Sequence, residues 1–467
     1  MSFELTTLGE YISIQGGYAY KSQQFIENST YPVLKIKNIR TGYVDINDCA
    51  YIDKNSADET ERYIVSEGDV LISLTGSGPN APQSLVGRVA RFWDKGKRAW
   101  INQRVGRVVL KKDKTVHKDF IFYFLGTKES QNYLVANSSG SANQANINGA
   151  IIEALPFPRI DYSTSKKISK VLRTLDEKIN LNNQINQTLE SIAQAIFKSW
   201  FIDFEPVRAK IAAKQTGQDP ERAAMCAISG KSEAELKQME KEDFAELQAM
   251  AALFPDELVE SELGEVPRGW EYKKLKDICK VLNGRAYKNT EFKEEGIPIV
   301  RIQNLTGGGK TVFSDLDLPQ DKLIEKEDFI YAWSATFGPY IWRGPKSIYH
   351  YHIWKMDVDE TIISRYFLYL TMFRKTESMK SAGTGSIFTH LTKVIMESQD
   401  VLIADNAINM LFKDRIDKIF KLISLKSDEI KNLENIRDTL LPKLLSGEVD
   451  VTTLADTKNS SDKEQIA

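Results

Sequence analysis

Cysteine is scarce in this chain, and long apolar runs are missing altogether. Three cysteines in 467 residues, Cys49, Cys226 and Cys279, form neither a disulfide framework nor a metal-ligand spacing. No apolar run approaches the roughly 18 residues that a membrane span requires. The opening Met1-Ser2-Phe3-Glu4-Leu5 has neither the basic region nor the apolar core of a secretory signal. No membrane is expected as a partner, and the expected compartment is cytoplasmic. An excess of either charge is also lacking, since 62 Lys and Arg face 64 Asp and Glu for a net charge of −2. Overall charge therefore does not announce a nucleic-acid binder.

Two stretches lack proline and glycine entirely, and they organise the chain. In the first, Ile168, Leu172, Leu175, Ile179, Asn182, Asn186, Leu189, Ala193 and Ile196 alternate in steps of four and three. In the second, Phe412, Ile416, Ile419, Ile423, Lys426, Ile430, Leu433, Arg437 and Leu440 keep that rhythm. Such spacing holds one narrow apolar seam along a helix, the pattern of a coiled coil. The polar residues Asn182, Asn186 and Lys426 within the seams cost stability but fix register and partner. The two helices are expected to pair with each other.

At this length two globular units with connectors are expected. Charge is patchy: Arg88, Arg91, Lys95, Lys97, Arg98, Arg104, Arg107, Lys111, Lys112, Lys114 and Lys118 crowd one segment, opposed by Asp94 and Asp113. That stripe suits either a phosphate-tracking surface or an ordinary solvated face. The segment from Glu205 to Glu262 is acidic, with a helix signalled by Ser232 and Glu235, a capping box. A short helix is expected around Leu5 and Leu8, strands at Val33–Ile39 and Val70–Thr75, and a helix at Phe120–Leu125.

The chain repeats itself. Leu8, Gly17, Ala19, Tyr20, Lys21 and Phe25 align without a gap on Leu275, Gly284, Ala286, Tyr287, Lys288 and Phe292. With one residue deleted, Pro32, Lys35, Ile36, Asn38 and Gly42 fall on Pro298, Arg301, Ile302, Asn304 and Gly308. Asp69–Ile72 matches Asp328–Tyr331, and Leu189, Glu190 and Ile192 match Leu433, Glu434 and Ile436. A globular domain followed by a helix thus occurs twice. The expected class is α+β, with two similar mixed α/β domains and paired helices. The boundaries are 1–160, first domain; 161–204, first spacer helix; 205–265, acidic junction with a short helix; 266–403, second domain; 404–446, second helix; and 447–467, a polar tail.

Catalytic signatures are missing as well. Asn304–Thr311 ends like a phosphate-binding loop, but Asn304 stands where its first glycine belongs, and no helical sequence follows. Gly338-Pro339-Tyr340 lacks the leading Asn or Asp and the second proline of the tetrapeptide in amino-group methyltransferases. His350 and His352 alternate on an expected strand without a third metal ligand. No carboxylate pair stands in a context that argues for acid–base work.

Taken in order, these features resemble the DNA-specificity subunits of type I restriction-modification systems. The resemblance rests on Gly-x-Ala-Tyr-Lys opening each domain, Gly68-Asp69-Val70-Leu71-Ile72, Ile101-Asn102-Gln103 and Leu189-Glu190-x-Ile192. It continues through Phe201–Val207, Ser261–Trp270 and Leu440–Glu448. The family implies a non-enzymatic subunit with two target-recognition domains, each reading half of a split, asymmetric sequence in double-stranded DNA. The paired helices would form an antiparallel coiled coil that holds the readers apart and docks two methyltransferase (modification) subunits. Motor-nuclease (restriction) subunits would join for cleavage. S-adenosylmethionine, ATP and Mg would sit on those partners, leaving no cofactor in this chain. A rod of about 30 residues separates two readers by roughly 45 Å. Four residues inserted after Asn182 are expected to lengthen the gap. Two rivals are a single-chain methyltransferase or nuclease with a duplicated recognition arm, and a coiled-coil protein scaffold.

Phosphate contacts should position each domain and polar side chains should read bases. The candidates in the first domain are Tyr20, Lys21, Thr75, Ser77, Asn80, Gln83, Arg88, Asn102, Gln103, Arg104, Asn143 and Gln144. Those in the second are Tyr287, Lys288, Gln303, Asn304, Trp333, Ser334, Thr336, His350, His352, Ser386 and Thr389. The second domain departs from the first where Tyr349-His350-Tyr351-His352 replaces the Asn-Gln pair.

Overall fold

Strands of two to six residues make up both domains, because alternating β-branched and aromatic residues are soon interrupted by Gly, Pro and Asp turns. A computed structural model describes residues 3–78, 86–112, 115–141, 144–306, 310–334, 337–382 and 391–451. The candidates Asn80, Gln83, Asn143, Thr336, Ser386 and Thr389 lie outside the described residues, as do Lys114 and the tail from Thr452. The fold is α+β. The chain forms two compact units, one of residues up to Asn180 with those from Lys431 onward, the other of Leu181–Ile430.

In the first unit, Ile12–Gly16, Val105–Leu110, Val70–Ser73, Val89–Arg91 and Gly42–Tyr43 lie in that order in one sheet. A second sheet orders Phe25–Ile26, Ala50–Ile52, Pro32–Leu34, Arg98–Ile101 and Ile64–Ser66. The strand Val70–Ser73 is buried throughout, so it must face apolar layers on both sides. Val70 and Ile72 enter one core with Phe120 and Phe157. Leu71 enters the other, with Ala90, Ile101 and Val105. This is the period-two rule applied to a strand between two cores.

The second unit repeats the plan. Cys279–Asn283, Ile353–Val358, Phe329–Ala332 and Gly338–Ile341 form one sheet. Val312–Ser314, Ile297–Val300, Ser347–Tyr349 and Leu323–Ile324 form the other. The all-buried strand sorts its side chains alike, Phe329 and Tyr331 to one core and Ile330 to the other. Both domains share one parallel pairing, Pro32–Leu34 with Arg98–Ile101 and Ile297–Val300 with Ser347–Tyr349, and the first domain adds a second, Gly42–Tyr43 with Val89–Arg91.

A two-stranded ribbon closes each domain. Leu5–Thr7 pairs with Pro156–Pro158, and Glu271–Lys274 with Asp400–Ile403. The helix expected near Leu5 is therefore a strand followed by a 3-10 turn at Leu8–Glu10. Its partner lies far away in sequence, so local pattern could not reveal it. The expected strand Val33–Ile39 is cut short after Leu34 by a 3-10 turn at Ile36–Asn38. The helix Lys118–Leu125 and the Ser232–Glu235 capping box form as expected. The acidic junction is more helical than one short helix. Its helices are Glu205–Thr216, Pro220–Ser229, Glu233–Leu236 and Lys241–Leu253, and the last three close over a core of Met225, Leu236, Leu247 and Met250.

The two long helices are Tyr162–Phe201 and Asn406–Ser446, of 40 and 41 residues. Every residue of both predicted seams is buried or half-buried. In the first unit Ile168 and Leu172 share a core with Leu444 and Leu445. There Arg437 donates to Asp176 Oδ1 at 2.9 Å, and Tyr123 Oη donates to Asp176 Oδ2 at 2.7 Å. In the second unit Phe197 lies 6.1 Å from Phe412 between ring centroids, and Asn186 Nδ2 donates to Ser427 Oγ at 3.3 Å. Within each unit, moving forward along the first helix means moving back along the second. The pairing within each unit is antiparallel, as the family resemblance implies. Lys426 meets Glu429 at 2.8 Å. Asn182 is fully buried, and among the described residues neither of its side-chain polar atoms has a hydrogen-bond partner.

Candidate nucleic-acid interface

The aligned glycines Gly17 and Gly284 mark the same place in each domain, and the reason is a backbone crossing. A Cβ on Gly17 would stand 2.3 Å from Ile101 O, and one on Gly284 would stand 2.3 Å from His350 O. No side chain fits there. The chain passes close enough for the next residue to pair with the loop between two strands. Tyr18 forms a bridge with Asn102, and Arg285 forms one with His350.

The hydrogen bonds around this crossing recur one by one. Gly17 N donates to Val105 O at 3.0 Å, as Gly284 N does to Ile353 O at 3.3 Å. Tyr18 N donates to Ile101 O and Arg285 N to Tyr349 O, at 2.9 and 3.2 Å. Gln103 N reaches Tyr18 O at 2.9 Å, and Tyr351 N reaches Arg285 O at 3.0 Å. Asn102 N donates to Leu34 O and His350 N to Val300 O, at 3.0 and 2.9 Å. Val105 N closes on Asn102 O and Ile353 N on His350 O, at 2.8 and 2.9 Å. Finally Leu74 N donates to Arg104 O and Trp333 N to His352 O, at 2.9 and 3.1 Å. Backbone donors and acceptors satisfied in this way hold the loop mainly through its main chain.

What the loop presents differs between the domains. In the first it offers half-buried Asn102 and exposed Gln103 and Arg104. Asn102 Oδ1 accepts from Arg104 N at 3.4 Å. In the second, His350, Tyr351 and His352 gather with Trp333. The ring centroids of Tyr351 and His352 are 3.9 Å apart, those of His350 and His352 5.0 Å, and those of Trp333 and His352 5.4 Å. Trp333 Nε1 donates to Tyr351 O at 2.8 Å, pinning the turn. The two histidines sit in a turn between Ser347–Tyr349 and Ile353–Val358. They do not alternate along a strand, because Ile353 N folds back onto His350 O. Burial, the facing His352 and the nearby Arg301 guanidinium hold the His350 pKa down to about 4. Burial also lowers that of His352. Neutral imidazoles present one donor and one acceptor each.

Other candidates fall into two groups. Lys21, Gln144, Lys288 and Gln303 are exposed, and Thr75, Ser77, Tyr287 and Ser334 are half-buried. Thr75 pairs with Asn146 in a small sheet that also carries Gln144. Tyr287 stacks loosely on His350, centroids 6.3 Å apart. In the other group, Tyr20, Arg88 and Asn304 are turned to structural work. Tyr20 is 8% exposed and its hydroxyl pairs with Thr60 Oγ1 at 2.8 Å. Arg88 donates to Ile39 O and Ile36 O, both at 2.9 Å. Asn304 Oδ1 accepts from Arg301 N at 2.9 Å, as Asn38 Oδ1 does from Lys35 N. The Asn38 and Asn304 match in the repeat is thus a turn-building match.

The basic stripe divides in the same way. Arg91 pairs with Asp119 at 3.3 Å and Lys118 with Asp69 at 2.6 Å, while Arg107 donates to Ile64 O at 2.5 Å. Lys95, Lys97 and Arg98 are exposed at one end of Arg98–Ile101, and Arg104 is exposed beyond the other end. A continuous stripe in sequence becomes separate cations in space.

Sequence reasoning passed over Leu74, Tyr18 and Tyr351. Tyr351 is 40% exposed at the position of Gln103. Setting Ile101-x-x-x-Val105 on Tyr349-x-x-x-Ile353 was the available signal, and it places Tyr18 on Arg285 through the glycines. The Asn304–Thr311 segment leads into the strand Val312–Ser314 rather than a helix. Among the described residues, no group of three or more His, Cys, Asp or Glu could hold a metal ion. Nor is any described helix long and apolar enough to cross a membrane.

The chain is similar to the HindI type I restriction enzyme specificity subunit of Haemophilus influenzae, 34% identical over 360 residues. That match covers 71% of this chain and 77% of the other. It is also similar to the MjaIX specificity subunit of Methanocaldococcus jannaschii, 25% identical over 362 residues, covering 74% and 72%. A crystal structure of a type I restriction-modification S subunit from M. genitalium aligns over 95% of this chain and 96% of that one. The TM-score is 0.49 and the identity 16%. The type I restriction modification DNA specificity domain matches twice, at residues 2–191 and 267–435, once over each copy of the repeat. The chain therefore belongs to the type I restriction-modification DNA specificity family.

Proposed function

We propose that this chain is the non-catalytic DNA-recognition subunit of a type I restriction-modification complex. In this reading each domain recognises one part of a bipartite, asymmetric site in double-stranded DNA. The observation that carries the reading is the matched cradle holding unlike side chains. One backbone frame presents Asn102, Gln103 and Arg104 in one copy and His350, Tyr351 and His352 in the other. A protein needing two different half-sites benefits from such an arrangement, since base edges are read by side chains while phosphates only position.

The paired helices serve as the spacer and as the dock for two modification subunits, with restriction subunits added for cleavage. S-adenosylmethionine, ATP and Mg act on those partners, in the cytoplasm. Exposed Lys21, Gln144, Lys288, Gln303 and Arg104 supply phosphate or base contacts, with Thr75, Ser77, Tyr287, Trp333 and Ser334 around them.

The test is to assemble the purified chain with its modification subunits and S-adenosylmethionine and to sequence the methylated sites. A two-part motif is expected, and the chain alone should transfer no methyl groups. Methyl transfer by the isolated chain would establish the enzyme reading instead. Absence of any sequence preference would leave the scaffold reading. Lengthening both helices by seven residues, after Asn182 and after Ile430, keeps the heptads in phase and adds about 10 Å. The gap should grow by about three base pairs at 3.4 Å each.

A further inference from the structure

The repeat supplies two versions of one loop, and the comparison separates what builds it from what it presents. All six hydrogen bonds around the crossing run between backbone atoms, and both copies use the same six. The glycine beneath each loop faces backbone carbonyl oxygens, not loop side chains. Nothing in that frame depends on whether residue 102 is Asn or its counterpart is His. Outside the loop Tyr18 and Arg285 differ, and so does one position that meets the last loop carbonyl. Leu74 and Trp333 occupy the same place, each donating its N–H to the last loop carbonyl. The Trp333 indole alone adds a bond, to Tyr351 O, and packs on His352.

We infer that each domain's base preference resides in a transplantable four-residue cassette, Leu74 with Asn102–Arg104 in the first and Trp333 with His350–His352 in the second. The inference rests on the DNA-recognition reading above. The first cassette carries two amides and a guanidinium, groups suited to adenine and guanine edges in the major groove. The second carries imidazoles and an exposed phenol on an aromatic stack. Those groups suit single hydrogen bonds and apolar contact, including the thymine methyl. Trp333 is a positioning residue, since it shapes the turn through Tyr351 O.

The experiment transplants the cassette within the full chain as L74W/N102H/Q103Y/R104H, assembled with the modification subunits, and reads methylated motifs by sequencing. The expected result is a changed first half-site that takes on bases of the second, with gap and second half-site as in the wild type. An active complex that keeps its original first half-site overturns the cassette. A wild-type complex with no two-part motif overturns the underlying reading instead, so the two failures are distinguishable. If the fourfold variant does not fold, judged by its melting curve, Gln103→Ala and Tyr351→Ala decide. Each should lower discrimination about tenfold at one or two base pairs of its own half-site. Motifs unchanged in both variants overturn the inference.

Discussion

The two domains share a frame and differ in what the frame displays. The first presents amides and a guanidinium to solvent, while the second presents a cluster of four aromatic and imidazole rings. The frame survived this divergence because backbone atoms make its hydrogen bonds and a glycine sits where no side chain fits. Architecture and display are thereby uncoupled within one domain, and the duplication makes the uncoupling visible.

The strongest way to break the likeness is through the glycines. Gly17→Val and Gly284→Val should each cost about 4 kcal/mol, since the added atoms meet backbone rather than a yielding side chain. Urea unfolding should show comparable losses for both. A loss confined to one would mean that the crossings are not equivalent. Next comes the helix seam, where the units differ. Asp176→Ala removes the partner of Tyr123 and one of the two carboxylates on Arg437, and should destabilise the first unit by about 2 kcal/mol. Asn186→Ala removes a single neutral bond to Ser427 and should cost the second unit about 1 kcal/mol. Equal losses in thermal denaturation would contradict this ranking.

A last effect is the pH dependence that His350 gives the second domain. Unfolded, His350 takes up a proton near its ordinary value of about 6.5, whereas folded it resists until about 4. Between those values the unfolded state binds more protons, so acid favours unfolding. The stability linked to this group is complete above about 6.5 and declines as pH falls toward 4. The groups facing His350 are His352, Tyr351, Tyr287 and Arg301. His350→Asn should flatten the fall in melting temperature from pH 7 to pH 5. An unchanged slope would place the acid sensitivity elsewhere. Asn102, in the same position of the first domain, contributes no such slope.

The helices were legible because a heptad is a local pattern, and every seam residue from Ile168 to Ile196 and from Phe412 to Leu440 is buried or half-buried. The repeat was legible through Gly17 and Gly284 because a steric exclusion leaves the same residue in both copies. The closing ribbon was not, since Leu5–Thr7 becomes a strand only beside Pro156–Pro158. The basic stripe misled for a related reason. Sequence adjacency does not record that Arg91 turns inward to Asp119 while Arg104 turns outward. Tyr20, Arg88 and Asn304 show the same limit, as polar or aromatic candidates that serve the core and turns.

The antiparallel seam has a consequence for synthesis. The first unit is finished only when Leu440, Leu441, Leu444, Leu445 and Val451 join Ile168 and Leu172. A growing chain emerges from the ribosome N-terminal end first. The domain made first is thus sealed last, while Leu181–Ile430 already holds both helix segments its own core requires. Damage near the C-terminus should therefore expose apolar surface in the domain at the opposite end of the chain.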